Sequence, residues 1–294
     1  TSSQCFRHSL PADTIICSTS SSFDLSFSVT SNSSNNYSLD FDGVNDYIVK
    51  SNNIHGGDQS VITIEAWIKT TVGGTSSYPN IVSSSLGGNI SSNIQNLQFR
   101  IYNGKLQFGM NTQASAWNAI ESTTLVNDGN WHHVAVVKSG TGANQTKLYI
   151  DGVLNATGSI SNTFSPDEFL IGAYREIGVL KTEGYWNGNL DEVRIWNNAR
   201  SEAEILCNLN KRITSANGLV ANFSFSEGSG NSTINSVNSS TATLSGPVFS
   251  SITPSVHNQS YLWSNGSTCP TISPVVSKDT SFTIQITEGA FTYF

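Results

Sequence analysis

From about residue 39 to residue 250 the apolar positions recur at every second residue, in short runs closed by Gly, Asn or Asp. Alternation of this kind predicts half-buried strands, because successive side chains of an extended chain point to opposite faces. In "SVITIEAWIKT", Ile62, Ile64, Ala66 and Ile68 fall on one face and Thr63, Glu65, Trp67 and Lys69 on the other. "LQFRIYNGKLQFGM" reads as two strands around Asn103-Gly104, and "TKLYIDGVLNAT" as two around Asp151-Gly152. Asn-Gly and Asp-Gly suit the two-residue turn that needs positive φ at both central positions. Many antiparallel strands joined by tight turns predict an all-β sandwich rather than a parallel sheet.

One stretch departs from the two-residue period. "SEAEILCNLNKRI" opens with the capping box Ser201-x-x-Glu204 and spaces Ala203, Leu206, Leu209 and Ile213 three or four apart, with Lys211 and Arg212 near its end. That spacing predicts a short helix lying against the edge of the sandwich.

Composition narrows the partners. Lys and Arg number 14 against 21 Asp and Glu in 294 residues, a formal charge of −7, and only 12% of residues are charged. Nucleic acid and membrane surfaces call for clustered basic residues, so neither is an expected partner. No apolar run of membrane-spanning length occurs, so membrane insertion is not expected either. A surface of hydroxyls and amides fits a secreted β protein, and a chain opening on Thr1 reads as a mature protein or an excised fragment. Cys5, Cys17, Cys207 and Cys269 are too widely spaced for a zinc knuckle or a redox pair. The ten Asn-x-Ser/Thr triplets are read as products of an Asn- and Ser-rich composition rather than as glycan sites.

"DGNWHHVAVV" invites a metal or catalytic reading of His132 and His133. In a strand the two diverge, so they cannot share an ion; Trp131, His133, Ala135 and Val137 take one face and His132, Val134 and Val136 the other. The chain has no Gly-x-Ser-x-Gly elbow, no His-Glu-x-x-His and no phosphate loop.

Eight blocks in order carry a family resemblance: "LDFDGVNDYIV", "ITIEAWIKT", "NGKLQFGM", "DGNWHHVAVV", "KLYIDGVLNATG", "FLIGAY", "WNGNLDEVRIWNNARSEAEI" and "GLVANFSFSEGSGNSTINSV". Residues 37–250 resemble a laminin-G-like, concanavalin A-like jelly roll of the group related to pentraxins. The resemblance implies two antiparallel sheets packed face to face, a bound calcium, and binding of glycans or proteins rather than catalysis. Jelly rolls of this kind that cleave glycans carry Glu-x-Asp-x-x-Glu, which this chain lacks.

A structural calcium is expected where Asp191, placed on the core side by alternation with Val193 and Ile195, meets the turn "DFDGVNDY", with Asp42, the Gly43 carbonyl, Asn45 and Asp46 as ligands. Pentraxins also bridge ligands through a second calcium after the strand matching "FLIG". Here Tyr174 and Arg175 occupy those positions.

The flanks resemble the two parts of an Ig-like or PKD-like repeat of bacterial surface proteins, "DTIICSTSSSFDLSFSV" in residues 1–36 and "YLWSNGSTCPTISPVVSKDTSFTIQITEG" in residues 251–294. Neither piece is long enough to bury a core alone, so the jelly roll is expected as an insertion in one small Ig-like sandwich. That arrangement implies a Cys17–Cys269 disulfide, with Cys207 a buried free thiol.

Sugars stack on exposed aromatic faces beside planar amides and Arg. Candidates in loop-like stretches are Trp117, Tyr78, Tyr174, Arg175, Tyr185 and Trp186, and Trp67 and Trp196 face away from the aliphatic rows. The functional expectation is an extracellular carbohydrate-binding or adhesion module of a larger secreted or cell-surface protein, its partner a glycan or polysaccharide. The alternatives are an adhesion scaffold for a cell-surface protein, with no sugar site, and a targeting domain of a secreted polysaccharide-degrading enzyme.

Overall fold

The computed structural model describes residues 4–8, 14–18, 25–26, 37–51, 55–74, 77–85, 96–112, 115–164, 168–176, 179–254, 259–263, 269, 271–272, 284–288 and 291–293. The chain forms two compact units, Asn35–Ile205 with Ile213–Pro254, and Thr1–Ser34 with Leu206–Arg212 and Ser255–Phe294.

The larger unit is a sandwich of two antiparallel sheets. One sheet has eight strands in the spatial order Ser115–Leu125, Lys105–Thr112, Asn96–Tyr102, Asn80–Ser85, Glu168–Ile171, Tyr47–Ser51, Thr241–Ser245 and Ser232–Ile234. The other runs Val153–Gly158, Thr146–Ile150, Trp131–Ser139, Val61–Lys69, Asn187–Trp196, Ser38–Asp42 and Val248–Ser250, with Leu219–Phe223 also on Asn187–Trp196. Both predicted hairpins form, and Asn103, Gly104, Asp151 and Gly152 all have positive φ as their turns require.

The alternation in the sequence fills the space between the sheets. Ile62, Ile64, Ala66 and Ile68 meet Leu97, Phe99, Ile101, Leu106, Phe108 and Met110 in one core, joined by Val134 and Val136. At the sandwich margin one amide links the edge strands of the two sheets. The Asn155 Oδ1 accepts the Thr123 N–H at 2.7 Å, and its Nδ2 donates to the Thr124 hydroxyl at 2.9 Å. Asn155 and the fully buried Asn222 are both in Asn-x-Thr/Ser triplets. Their amides are committed inside the fold, Asn222 Nδ2 to the Ile213 carbonyl at 2.6 Å.

The helix is shorter than its apolar spacing suggests and covers Glu202–Asn208. Its capping box forms as read: the Ser201 N–H donates to Glu204 Oε2 at 2.7 Å, and the Glu204 N–H to Ser201 Oγ at 3.3 Å. The buried residue is Ile205, packed with Ala135, Val137 and Tyr149, whereas Leu206 is exposed. A helix of two turns presents one narrow stripe, and Ile205 takes it.

In the smaller unit Gln4–His8 pairs with Thr14–Ser18, Leu25–Ser26 with Thr271–Ile272, and Gln259–Trp263, Ile284–Glu288 and Phe291–Tyr293 form a three-stranded sheet. Segments from both ends of the chain therefore share one unit. The disulfide joins Cys207 to Cys269, with Cα atoms 4.6 Å apart, and corrects the expected Cys17–Cys269 bond and the free thiol at Cys207. Cys17 stands in register opposite Cys5 in the first hairpin, while the excursion Leu206–Arg212 brings Cys207 into the unit that holds Cys269.

Candidate functional site

The expected calcium set is split by strand register. Asn187 pairs with Asp42, so Asp191, four residues further along the same strand, lies about 13 Å from that pairing at strand rise. The strand Asn187–Trp196 also carries a β-bulge: Asp191 stands opposite Trp67 and Arg194 opposite Glu65, one residue more on this strand than on its partner, with Glu192 at φ 46°. The extra residue shifts the parity, so that Leu190, Val193 and Ile195 face the core and the simple alternation that put Asp191 beside them fails. Asp191 is buried and accepts the Glu192 N–H at 2.7 Å.

At the turn itself, Asp42 Oδ1 accepts the Val44 N–H at 2.7 Å and Asp46 Oδ2 accepts the Asp42 N–H at 2.9 Å. Gly43 is in the left-handed region at φ +79°, and a Cβ there would meet Asn187. Burial pushes the Asp46 carboxyl above its ordinary range; the Asp42 N–H draws it back, and the charges of Asp42 and Asp40 add to the rise. Among the described residues no three His, Cys, Asp or Glu side chains are grouped to hold a metal.

The predicted ligand residues divide in two. Trp186 is fully buried in the main core, and Tyr185 packs with Leu170 and Ala173 in a smaller apolar cluster, so neither offers a sugar platform. Arg175 forms an ion pair with Glu168 at 3.2 Å. A polar "YWNGN" context in the sequence gave no sign that both aromatics turn inward.

Trp117 and Tyr78 gather instead around Arg100, which no local pattern in the sequence marks, and the Tyr174 ring lies 6.0 Å from that of Tyr78. Trp117 belongs to the strand Ser115–Leu125, not to a loop, and lies across Gly109 of the neighbouring strand. The Arg100 guanidinium carbon is 4.4 Å from the Trp117 ring centre, 4.7 Å from that of Tyr78 and 5.9 Å from that of Tyr102. Arg100 Nε donates to Gln107 Oε1 at 2.6 Å, Nη1 donates to Gln98 Oε1 at 2.8 Å, and Gln107 Nε2 donates to Glu121 Oε1 at 2.6 Å. Tyr78 and Tyr174 both donate their hydroxyls to Glu183 Oε1, at 3.3 and 3.0 Å. Burial, with the hydrogen bonds and charges of Tyr78 and Glu183, pushes the Tyr174 phenol well above its ordinary range, so it stays a donor.

Strand parity explains the gathering. Leu97, Phe99 and Ile101 enter the core, which puts Gln98, Arg100 and Tyr102 on the outer face; Leu106, Phe108 and Met110 do the same for Gln107 and Gly109. That parity was visible in "NLQFRIYNGKLQFGM". The result is a sheet face on which the partly exposed rings of Tyr78, Tyr102 and Trp117 surround a fixed guanidinium and its planar amides, while Tyr174 is buried.

The opposite sheet carries a different arrangement on its outer side. Glu65, fully buried, is bound by Arg200 Nη1, lies 3.5 Å from Arg194 Nη1 and 3.7 Å from His133 Nε2, and Glu192 pairs with Arg194 at 2.9 Å. Arg200 lies over Trp196, and Trp67 meets His133 edge to face. Burial would raise Glu65, but His133, Arg200 and Arg194 hold it down at about 2. These charges offset one another beneath the surface, and the arrangement is structural. Trp67 and Trp196 do face away from the aliphatic rows, but they are buried at 8% and 2% exposure and offer no open surface.

His132, on the other parity, sits at the rim with Nδ1 2.8 Å from Asp151 Oδ2 and Nε2 3.2 Å from Asp128 Oδ1. Burial disfavours the imidazolium, but Asp151 and then Asp128 overcome this and raise the His132 pKa. The histidines thus separate as strand geometry requires.

The larger unit is a two-sheet jelly roll of lectin type. Residues 41–206, more than half of the chain, match the Laminin_G_3 model of the concanavalin A-like lectin/glucanases superfamily, and the chain belongs to that family. Among solved structures it is similar to a candidate carbohydrate-binding protein from Bacteroides ovatus, with 20% identity and a TM-score of 0.57, covering 76% of this chain and 62% of that one. It is also similar to a heptameric SAP-like pentraxin from Limulus polyphemus, with 15% identity and a TM-score of 0.52 over 74% of this chain and 96% of that one. A weaker similarity, TM-score 0.43 and 15% identity, links it to domains LG4-5 of the mouse laminin α1 chain, over 66% of this chain and 50% of that one. The chain spans about 62% of the length of the Bacteroides ovatus protein. No curated protein matches it. No helix among the described residues is long and apolar enough to cross a membrane.

Proposed function

We propose that this chain is an extracellular carbohydrate-binding module, and that its sugar site is the outer face of the strands Asn80–Ser85, Asn96–Tyr102, Lys105–Thr112 and Ser115–Leu125. The observation that carries this reading is the convergence of Tyr78 and Trp117 on Arg100, with Tyr174 beside Tyr78 and with Gln98 and Gln107 holding the guanidinium. Rings supply the flat apolar surface that a pyranose buries, and amides and the guanidinium supply directional hydrogen bonds to hydroxyls. The side chains are tied to one another before any ligand arrives, which lowers the entropy lost on binding. The absence of an alternating catalytic carboxylate strand in the sequence supports binding rather than hydrolysis. The Cys207–Cys269 disulfide supports an oxidising compartment.

Calcium enters this proposal in a reduced form. Burial lifts the Asp46 carboxyl and the nearby charges of Asp42 and Asp40 add to the rise, which supports a cation held by Asp42 and Asp46 with turn carbonyls and water, and without Asp191. Its role would be to neutralise the turn.

A glycan array probed with the wild-type chain and with Trp117→Ala tests the site. The expected result is one or more hits that vanish in the variant while its circular dichroism is unchanged. An array without hits would overturn the reading.

A further inference from the structure

Resting on the reading of that face as a sugar site, we infer that its ligand is an acidic saccharide whose carboxylate is taken by Arg100. Arg100 is only 9% exposed, yet among the described residues no carboxylate lies within ion-pair distance of it, although Arg175, Arg194 and Arg200 each have one. A guanidinium withdrawn from water without a counter-ion is costly, and an incoming anion offsets that cost. The acidic side chains nearest in the network are already committed. Glu121 accepts from Gln107, and Glu183 accepts from Tyr78 and Tyr174, so each reaches Arg100 only through a neutral group.

The geometry also says which edge is open. Nε is held by Gln107 and Nη1 by Gln98, the rings of Tyr78 and Trp117 lie against the guanidinium, and among the described residues Nη2 has no hydrogen-bond acceptor. The charged Nη2 gives a stronger hydrogen bond to a carboxylate oxygen than to a neutral hydroxyl. The rings beside it are placed to take the apolar side of the same sugar. Since Gln98 and Gln107 fix the guanidinium, Arg100 selects for a uronate-type residue rather than adapting to any ring.

The test is an array of galacturonate, guluronate, mannuronate and glucuronate oligomers, each printed beside its methyl ester, together with neutral glycans, followed by titration calorimetry on the hits. The expected result is binding to at least one acid, weakened by roughly tenfold or more on methyl esterification, since a hydrogen bond to a charged group is lost. Arg100→Gln should remove the preference for acid over ester, and Arg100→Lys should keep part of it. The ester comparison uses the wild-type protein alone, so it decides the matter even if the Arg100 variants do not fold. Equal binding of acid and ester, hits confined to neutral glycans, or an acid preference that survives Arg100→Gln would overturn the inference and leave the sugar site standing. Binding to no saccharide at all would overturn both.

Discussion

Trp117 occupies the space that a side chain at position 109 would need: its Cζ2 lies where it would clash with a Cβ on Gly109. The backbone at Gly109 is not in the left-handed region, so the glycine is required by the indole above it rather than by its own conformation. Gly109→Ala should therefore lift Trp117 off the sheet and away from Arg100. The expected outcome is a shifted tryptophan emission and glycan affinity reduced about tenfold or more, with an unchanged far-ultraviolet spectrum. Unaltered affinity would remove Trp117 from the site.

Glu65 holds two buried guanidiniums, and breaking a buried ion network by removing one partner leaves charge uncompensated. Glu65→Gln should cost about 3–5 kcal/mol in the unfolding free energy, measured by urea denaturation. A loss below about 1 kcal/mol would mean that the network contributes specificity and little stability.

His132 makes stability depend on pH. Its folded pKa is raised above the ordinary 6.5, so its contribution is fully present below that value and is lost as pH rises through the higher folded value. The difference in melting temperature between the wild type and His132→Gln should shrink between pH 6 and alkaline pH. A difference that grows with pH would contradict the pairing with Asp151 and Asp128.

The Cys207–Cys269 bond closes a loop of 62 residues, for which chain entropy gives about 4 kcal/mol. Non-reducing peptide mapping should recover Cys207 linked to Cys269, and Cys207→Ser with Cys269→Ser should lower stability by up to that amount. A peptide joining Cys17 to Cys269 would contradict the structure.

Calcium held at the Asp42 turn should raise the melting midpoint, and chelation should lower it. The response should disappear in Asp46→Asn and persist in Asp191→Asn, because register keeps Asp191 away from that turn. An unchanged midpoint on chelation would end the calcium proposal.

The fold was legible because the core sits on residues whose alternation is unbroken, such as Ile62 to Ile68 and Leu97 to Ile101, and because Asn103-Gly104 and Asp151-Gly152 state their turns locally. The site was legible only in part. Trp117, Tyr78 and Tyr174 stood out as aromatic residues in polar surroundings, but Arg100 looks like an ordinary outward residue until neighbouring strands bring rings to it. Asp191 misled because a bulge inserts one residue and reverses parity, and nothing in "NLDEVRI" marks it. Cys207 misled for a related reason: its partner is chosen by the excursion Leu206–Arg212 into the smaller unit, a tertiary event with no local signal.

The most direct test of the account is the indole N–H region of a nitrogen-15 NMR spectrum recorded while a glycan from the array is added. The six tryptophans give separate probes, and Trp117 alone among Trp67, Trp117, Trp186 and Trp196 lies on the proposed face. The account predicts that the Trp117 resonance moves with ligand concentration while those of Trp186 and Trp196 stay fixed. A titration that moves Trp186 or Trp196 and leaves Trp117 unmoved would contradict it.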